Sequence, residues 1–450
     1  MNLNKPRVVI VGGGLAGVEA SYQCLRVGLA VTLYEMRPHT KTNAHETSDL
    51  AELVCSNSFK SYDPGSAPGL LKTEMMGLDS LVIDSAFKSK VEAGSALAVD
   101  RKQFSELILN RLSGFKNFTL VREEVSVLPS LEELDLRNEY WIIATGPLTS
   151  VSMISQLNLI FRSDDRHFFY DAIAPILDSE TIDFSKGFWG NRWGLDSEIG
   201  DYFNIPLEKA EYNQFIESVK QSVKVPLHDF EDIKYFESCL PIEVMIERGD
   251  QTLRFGPLKP IGFVNPATGK RPWAIVQLRK ENRSGSMLSM VGFQTKMSWT
   301  DQRMVFQRLP GLEKVEFYRL GSIHRNTYFE CPKLLNEDLS LKNNSRMYLA
   351  GQMTGVEGYV ESAGSGLIAG INAARMALGQ ELLYFPHETA LGAMARYITH
   401  TDAKNFQPMN VNFGIFPELG ERIKSKPERA ERHANRALES IQNFINTQVI

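Results

Sequence analysis

The chain has 450 residues, enough for two or three domains with an ample core, which excludes a one-core miniprotein. Its composition is that of an ordinary globular enzyme, 43% hydrophobic and 23% charged with 33 Gly and 20 Pro. With 49 Lys and Arg against 54 Asp and Glu the net charge is −5, which excludes a general nucleic-acid coat protein and confines any RNA contact to a local basic patch.

From the N-terminus, Arg7-Val8-Val9-Ile10-Val11 is a short apolar run, the pattern of a parallel strand buried on both faces, and no signal peptide is expected there. It runs into Gly12-Gly13-Gly14-Leu15-Ala16-Gly17, a G-x-G-x-x-G fingerprint opening a helix to about Val27 that Gly28 ends. A second strand, Ala30 to Tyr34, leads to Glu35. In such a unit Gly12 makes the tight turn, Gly14 lets the backbone approach a pyrophosphate, and Gly17 allows close packing. The helix N-terminus then faces the phosphates, and Glu35 accepts hydrogen bonds from a ribose diol while repelling a 2′-phosphate. The fingerprint alone is weak, since a ligand-free loop can carry it. Strand, glycines, helix, strand and acid in this order point to a dinucleotide held by Gly12, Gly13, Gly14, Leu15, Ala16, Gly17 and Glu35.

Leu70 to Ala86 has helical spacing, and Asp100 with Gln103 reads as the N-cap and capping partner of a helix to Leu112. Tyr140 to Pro147 is a buried strand ending in Ala-Thr-Gly, which resembles the second dinucleotide motif of two-domain flavoproteins. In the middle of the chain, Leu207 to Val223 reads as a helix, and Thr252 to Phe263, Trp273 to Leu278 and Leu288 to Phe293 read as strands. Met347 to Gln352 is a late strand ending in Gly351, followed by Gly355 and by a helix from about Ser362 to Arg375 that aims a second N-terminus at the cofactor. Three motifs in this order favour FAD. The expected fold is therefore α/β, a discontinuous Rossmann-like FAD-binding domain of residues 1–160 and 326–450 around an α+β insertion of residues 161–325. Glu421 to Ile450 forms a charged helical tail carrying Arg422, Lys424, Lys426, Arg429, Arg432 and Arg436.

The 4 cysteines, Cys24, Cys55, Cys239 and Cys331, have no C-x-x-C spacing, which fits a reducing cytosol. No apolar run approaches the roughly 20 residues needed to span a bilayer, so the expected location is cytoplasmic. An arbitrary cysteine is usually a small buried hydrophobe; this is the reading of Cys24 and Cys331. Cys55 and Cys239 have polar or acidic neighbours and are open to either packing or chemistry. Neither has the nearby partner in sequence that disulfide reductases use. The 8 histidines lack paired ligand spacing, so no metal is expected. Lys270, Arg271, Arg279, Lys280 and Arg283 form one basic patch and the tail another, each also readable as a solvated charged face.

These residues carry a resemblance across nearly the whole chain. Gly12 to Gly17, Tyr34-Glu35-Met36-Arg37-Pro38, Ala51 to Ser58, Ala96 to Arg101, Ala144 to Ser150, Phe169-Tyr170-Asp171-Ala172-Ile173-Ala174-Pro175 and Cys239-Leu240-Pro241-Ile242-Glu243 are its early and middle segments. Arg254 to Pro260, His324 to Thr327, Ala350 to Gly358, Tyr397 to His400 and Phe406 to Asn410 follow. Together they resemble the folate- and flavin-dependent tRNA (uracil-5-)-methyltransferases, the TrmFO or Gid family, relatives of the larger MnmG-type flavoproteins. Departures are Ser238 where the family often has Gly, and Asn204-Ile205-Pro206 where it often has Asn-Cys-Pro.

The resemblance implies 5-methyluridine formation at position 54 in the T loop of tRNA. The carbon would come from 5,10-methylenetetrahydrofolate and pass through reduced FAD, with NADH or NADPH as reductant. A cysteine thiolate adding at carbon 6 of uracil makes carbon 5 nucleophilic, which is the physical sense of the scheme. It further implies Cys239 as that nucleophile and Cys55 as a proton-transfer or methylene-trapping group by the flavin. Lys259, Arg271, Arg279 and His400 are weaker candidates for RNA or folate contact. The same machinery acting on ribosomal RNA, a flavin NAD(P)H oxidoreductase without RNA, and a flavin-containing RNA scaffold are the alternatives. No membrane or DNA partner is expected.

Overall fold

The computed structural model describes residues 5–42, 44–161, 166–194, 200–226, 235 and 239–448, so Ser238 lies outside the described residues. The apolar runs form the first sheet because both of its faces are covered: Val8, Ile10, Leu33, Ile142 and Ile143 are all fully buried. Its strands stand in the order Ser340–Leu341, Asn344–Leu349, Glu139–Ile143, Arg7–Val11, Ala30–Tyr34 and Phe118–Val121. Every neighbouring pair is parallel except the first. Met347 faces Trp141, so the late strand enters the sheet built by the first part of the chain, as the order of the motifs requires. The helix Leu15–Arg26 packs on the helix Tyr359–Ala377, the second of which comes close enough that a Cβ on Gly366 would stand 2.2 Å from the Ala16 carbonyl oxygen.

The apolar stretch after Leu70 is two helices, Ala67–Gly77 and Leu81–Lys88. They part at Asp79, in the left-handed region at φ 58°, and at Ser80, whose hydroxyl accepts from the Ile83 amide and donates to buried Glu19. Asp100 caps Arg101–Ser113 by accepting from the Gln103 amide, but the Gln103 side-chain oxygen is unpartnered, so the reciprocal half of the expected capping pair is not made.

Residues between the two halves build a second sheet with its own core, centred on Leu177, Phe203, Phe215, Leu278 and Phe293. Its order is Phe188–Gly190, Tyr202–Leu207, Ala274–Lys280, Met287–Met290, Ile176–Asp178 and Phe317–Arg319, antiparallel throughout. The helix Lys209–Gln221 buries Tyr212, Phe215, Ile216 and Val219, whereas Val223 falls beyond its end and is exposed. The strand expected from Thr252 to Phe263 is replaced by the short helix Thr252–Phe255 and turns. Pro257 and Pro260 have no N–H to give to a ladder. Leu253 and Leu258 instead enter the core, and the Arg254 guanidinium stacks 3.6 Å over Trp273. A ribbon of Arg166–Ile173 paired with Ser322–Phe329 joins the two parts.

The tail helix Lys426–Thr447, capped by Ser425, buries His433, Ala434, Ala437 and Ile441, and Ile445 reaches Gly77. That packing leaves Arg422, Lys424, Lys426, Arg429 and Arg432 exposed, while Arg436 donates to the carbonyls of Pro417 and Glu418. Among the described residues no helix is long and apolar enough to cross a membrane.

Candidate active site

The strand Arg7–Val11 ends at Gly12, whose φ of 107° turns the chain; a Cβ there would stand 2.3 Å from the Ala144 carbonyl oxygen. A Cβ on Gly17 would stand 1.8 Å from the Gly12 carbonyl oxygen, so the helix can start this close to the strand only with glycine there. Gly14 differs: no atom lies within 4 Å of its Cβ position, and the residue lines the cleft, leaving open space for a ligand. Gly14 is also the N-cap of the helix without a side-chain cap or a first-turn acid, so its leading amides are free for an anion.

The cleft, about 1230 Å³ including its mouth, is lined by Gly12, Gly13, Gly14, Leu15, Ala16 and Glu35, by Thr145 and Gly146, and by Gly351, Tyr359 and Ser362. Glu35 accepts from the Gly13 amide at 2.9 Å and from Arg37 Nε at 2.8 Å. Burial pushes its carboxyl up, but the hydrogen bonds and charge of Arg37 outweigh burial and hold it below the usual range. It is therefore an anionic acceptor suited to a ribose diol. The glycine turn, uncapped helix and anionic acceptor fit FAD. Gly355 lies outside this lining, against the Phe406 ring.

Gly17→Ala is expected to lower bound flavin at least tenfold and the unfolding midpoint together, because the clash is with backbone; overpacking costs about 1–3 kcal/mol. Gly14→Ala is expected to weaken flavin retention with the apoprotein midpoint unchanged. Flavin absorbance per protein and thermal melts of both variants check this, and a fully flavinated Gly17→Ala contradicts it.

Beyond the flavin cradle the cleft meets Cys55 and Asp171, and Cys239 joins them: the two sulfurs and a carboxylate oxygen all lie within 4.8 Å of one another. Three remote segments deliver them. Cys55 is in the loop before Ser58–Ser61, held by the Tyr359 hydroxyl, which accepts from the Cys55 amide at 2.9 Å and the Ser56 amide at 3.1 Å. Asp171 is on the ribbon, and Cys239 precedes the helix Ile242–Glu247. The Cys239 thiol is raised well above its ordinary range by its hydrogen bond with Cys55, by burial and by the Asp171 charge. Burial pushes Asp171 up to about 6, partly offset by the hydrogen bond from Cys239. Glu357 is pushed well above the carboxylate range by burial and then by Asp171, so at neutral pH Asp171 is the charged acid and Glu357 the neutral one.

Sequence reasoning missed Asp171, Glu357 and Tyr359 as members of this cluster. The signal for Asp171 and Glu357 was the segments Phe169 to Pro175 and Ala350 to Gly358, and Tyr359 directly follows the second. Burial drives His45 and His324, both in the lining, down to about 4, so both are neutral. Cys24 and Cys331 are buried and not members of the cluster, and burial raises both thiols. None of Lys259, Arg271, Arg279 and His400 lines the cleft. Arg279 is a correction to the basic patch: it is buried and lies 3.7 Å from Glu281, because Glu281 also binds Arg101 at 2.8 Å and draws both guanidinium groups inward. His400 lies 3.8 Å from Glu337 in a separate depression, whereas Arg271 is exposed.

The family model for glucose inhibited division protein A matches residues 7–381. A methylenetetrahydrofolate--tRNA-(uracil-5-)-methyltransferase TrmFO of Heliobacterium modesticaldum is 49% identical over 443 residues, 98% of this chain and 99% of that protein. The protein of the same name from Bacillus subtilis is 48% identical over 445 residues, 99% of this chain and 100% of its own. The crystal structure of Aquifex aeolicus GidA in form II superposes with a TM-score of 0.67 at 17% identity, covering 100% of this chain and 75% of that one, a likeness of fold. With a fold, a dinucleotide cleft and full-length identity in agreement, the chain belongs to the glucose inhibited division protein A family and, within it, to the TrmFO group.

Proposed function

We propose that the chain forms 5-methyluridine at position 54 of tRNA, taking its carbon from 5,10-methylenetetrahydrofolate, with FAD bound in the cleft and NADH or NADPH as reductant. The observation that carries this reading is the meeting of Cys55, Cys239 and Asp171 beside a dinucleotide cleft, in a chain 48–49% identical to TrmFO proteins over nearly its full length.

FAD would be held by Gly12 to Ala16, Glu35 and Gly351, with Gly17 setting the start of the helix behind them, and would supply one-carbon carriage and hydride chemistry. The remaining steps belong to side chains. Asp171 takes the Cys239 proton, and the Cys239 sulfur adds to carbon 6 of uracil, placing carbanion character on carbon 5. After carbon 5 has gained its substituent, Cys55, acting as the thiolate after its own proton has passed to solvent, removes the carbon 5 proton, and Cys239 leaves as a thiolate that recovers its proton from Asp171, restoring the double bond. Glu357, neutral, places no second charge against the enolate.

Exposed Arg271 on the insertion and Arg422, Lys424, Lys426, Arg429 and Arg432 on the tail are the phosphate contacts, concentrating positive charge on a chain of net −5. Two separate sheets, each with its own core, support a division into residues 1–160 with 326–450 and an insertion of 161–325. The setting is the cytoplasm, where reduced thiols and tRNA coexist. Purified flavinated protein with unmodified tRNA transcript is expected to methylate only when methylenetetrahydrofolate and NADH or NADPH are both supplied. Silence with both nucleotides overturns the proposal, and methylation of ribosomal RNA in preference to tRNA overturns the target.

A further inference from the structure

Cys55 and Cys239 come from opposite parts of the fold, yet their sulfurs lie within 4.8 Å of one another, and both residues are partly exposed. The other two cysteines are buried. The geometry points to Cys55 and Cys239 as an oxidisable dithiol that closes to a disulfide under a hydroperoxide, stapling the Cys55 loop to the segment before Ile242–Glu247 and withdrawing both sulfurs from the substrate.

The chemistry balances within the cluster. The Cys55 sulfur takes one oxygen as the peroxide O–O bond breaks, giving a sulfenic acid and one water. The Cys239 sulfur then forms the S–S bond, its proton passes to Asp171, and the displaced hydroxide recovers that proton as a second water. Two thiols give up two electrons and two protons, and one peroxide becomes two waters. In the linked form the two sulfurs stand about 2.05 Å apart. Cys55 is the residue attacked because it lines the cleft and its amide is anchored by Tyr359, while Cys239 sits behind it as the resolving thiol. Joining the sulfurs early in the oxidation sequence also spares them from irreversible sulfinic acid.

The disulfide stands on geometry alone; only its effect on methyl transfer rests on the function proposed above, and the two are read separately. Full-length flavinated protein is treated with a small excess of hydrogen peroxide, quenched, denatured and alkylated. The expected result is loss of two of the 4 thiols, a Cys55–Cys239 linked peptide lighter by two hydrogens, and no dependence on protein concentration. Dithiothreitol is expected to restore both thiols and, with them, methyl transfer that had fallen more than tenfold. Cys55→Ser and Cys239→Ser each keep the remaining thiol unlinked. Four free thiols after treatment, sulfinic acid at Cys55 without a link, or a link that involves Cys24 or Cys331 overturns the inference. A link that forms while methyl transfer continues unchanged overturns the switch and leaves the dithiol.

Discussion

Cys239→Ser is expected to lower methyl transfer to tRNA by about 10³-fold or more while flavin content stays at the wild-type level. Serine keeps the size and the hydrogen-bonding capacity of the side chain, so the neighbours Cys55 and Asp171 lose no packing. What it removes is a sulfur able to add to carbon 6 of uracil, since an alkoxide is far harder to form than a thiolate. Cys239 does not line the flavin cleft, so the cradle of Gly12 to Gly17 and Glu35 should be untouched. Rapid-quench kinetics with flavin absorbance recorded on the same samples separate the two. In the companion Cys55→Ser variant the RNA–protein adduct through Cys239 is expected to accumulate, because addition survives and proton removal does not. Near-normal turnover in Cys239→Ser returns that residue to packing.

Asp171→Asn is expected to cost about 10²-fold in the methylation rate and to change its pH dependence, within the usual range for removing a general base. The sign follows from the cluster. Burial first, offset by the hydrogen bonds from Cys239 and from the Ala172 amide, sets the Asp171 carboxyl at about 6. The groups facing it are the thiols of Cys239 and Cys55 and the carboxyl of Glu357. Below about pH 6 Asp171 is protonated and cannot take the thiol proton, so the wild-type rate rises as pH increases through that value. Asparagine cannot titrate, so this limb is expected to vanish. Initial rates between pH 5 and 8 read it, with RNA affinity measured alongside, and a limb retained in the variant assigns it to another group.

The features legible in sequence are those built from neighbours in the chain. The turn at Gly12, the tight start at Gly17 and the acid at Glu35 lie within one strand–helix–strand unit, and the late strand at Met347 was readable because its glycine follows directly. Local pattern also misled where it was ambiguous: an apolar stretch from Thr252 read as a strand, and the prolines at 257 and 260 decided otherwise. The resemblance singled out Cys55 and Cys239, but their meeting with Asp171 was illegible for a different reason. No spacing links Cys55, Asp171 and Cys239, since a loop, a ribbon and a helix approach meet only when two sheets are docked. Arg279 likewise looks like a surface cation until Glu281, which also holds Arg101, draws it inward.

The central claim is that a folate carbon reaches uridine 54 of tRNA at this cluster, and isotope tracing tests it most directly. Flavinated protein is given 5,10-methylenetetrahydrofolate labelled with ¹³C in its methylene, an unmodified tRNA transcript and NADPH or NADH, and the RNA is digested for mass spectrometry. The account predicts labelled 5-methyluridine at position 54 and none in a transcript with cytidine there. An unlabelled methyl group, or label that survives the change at position 54, contradicts it.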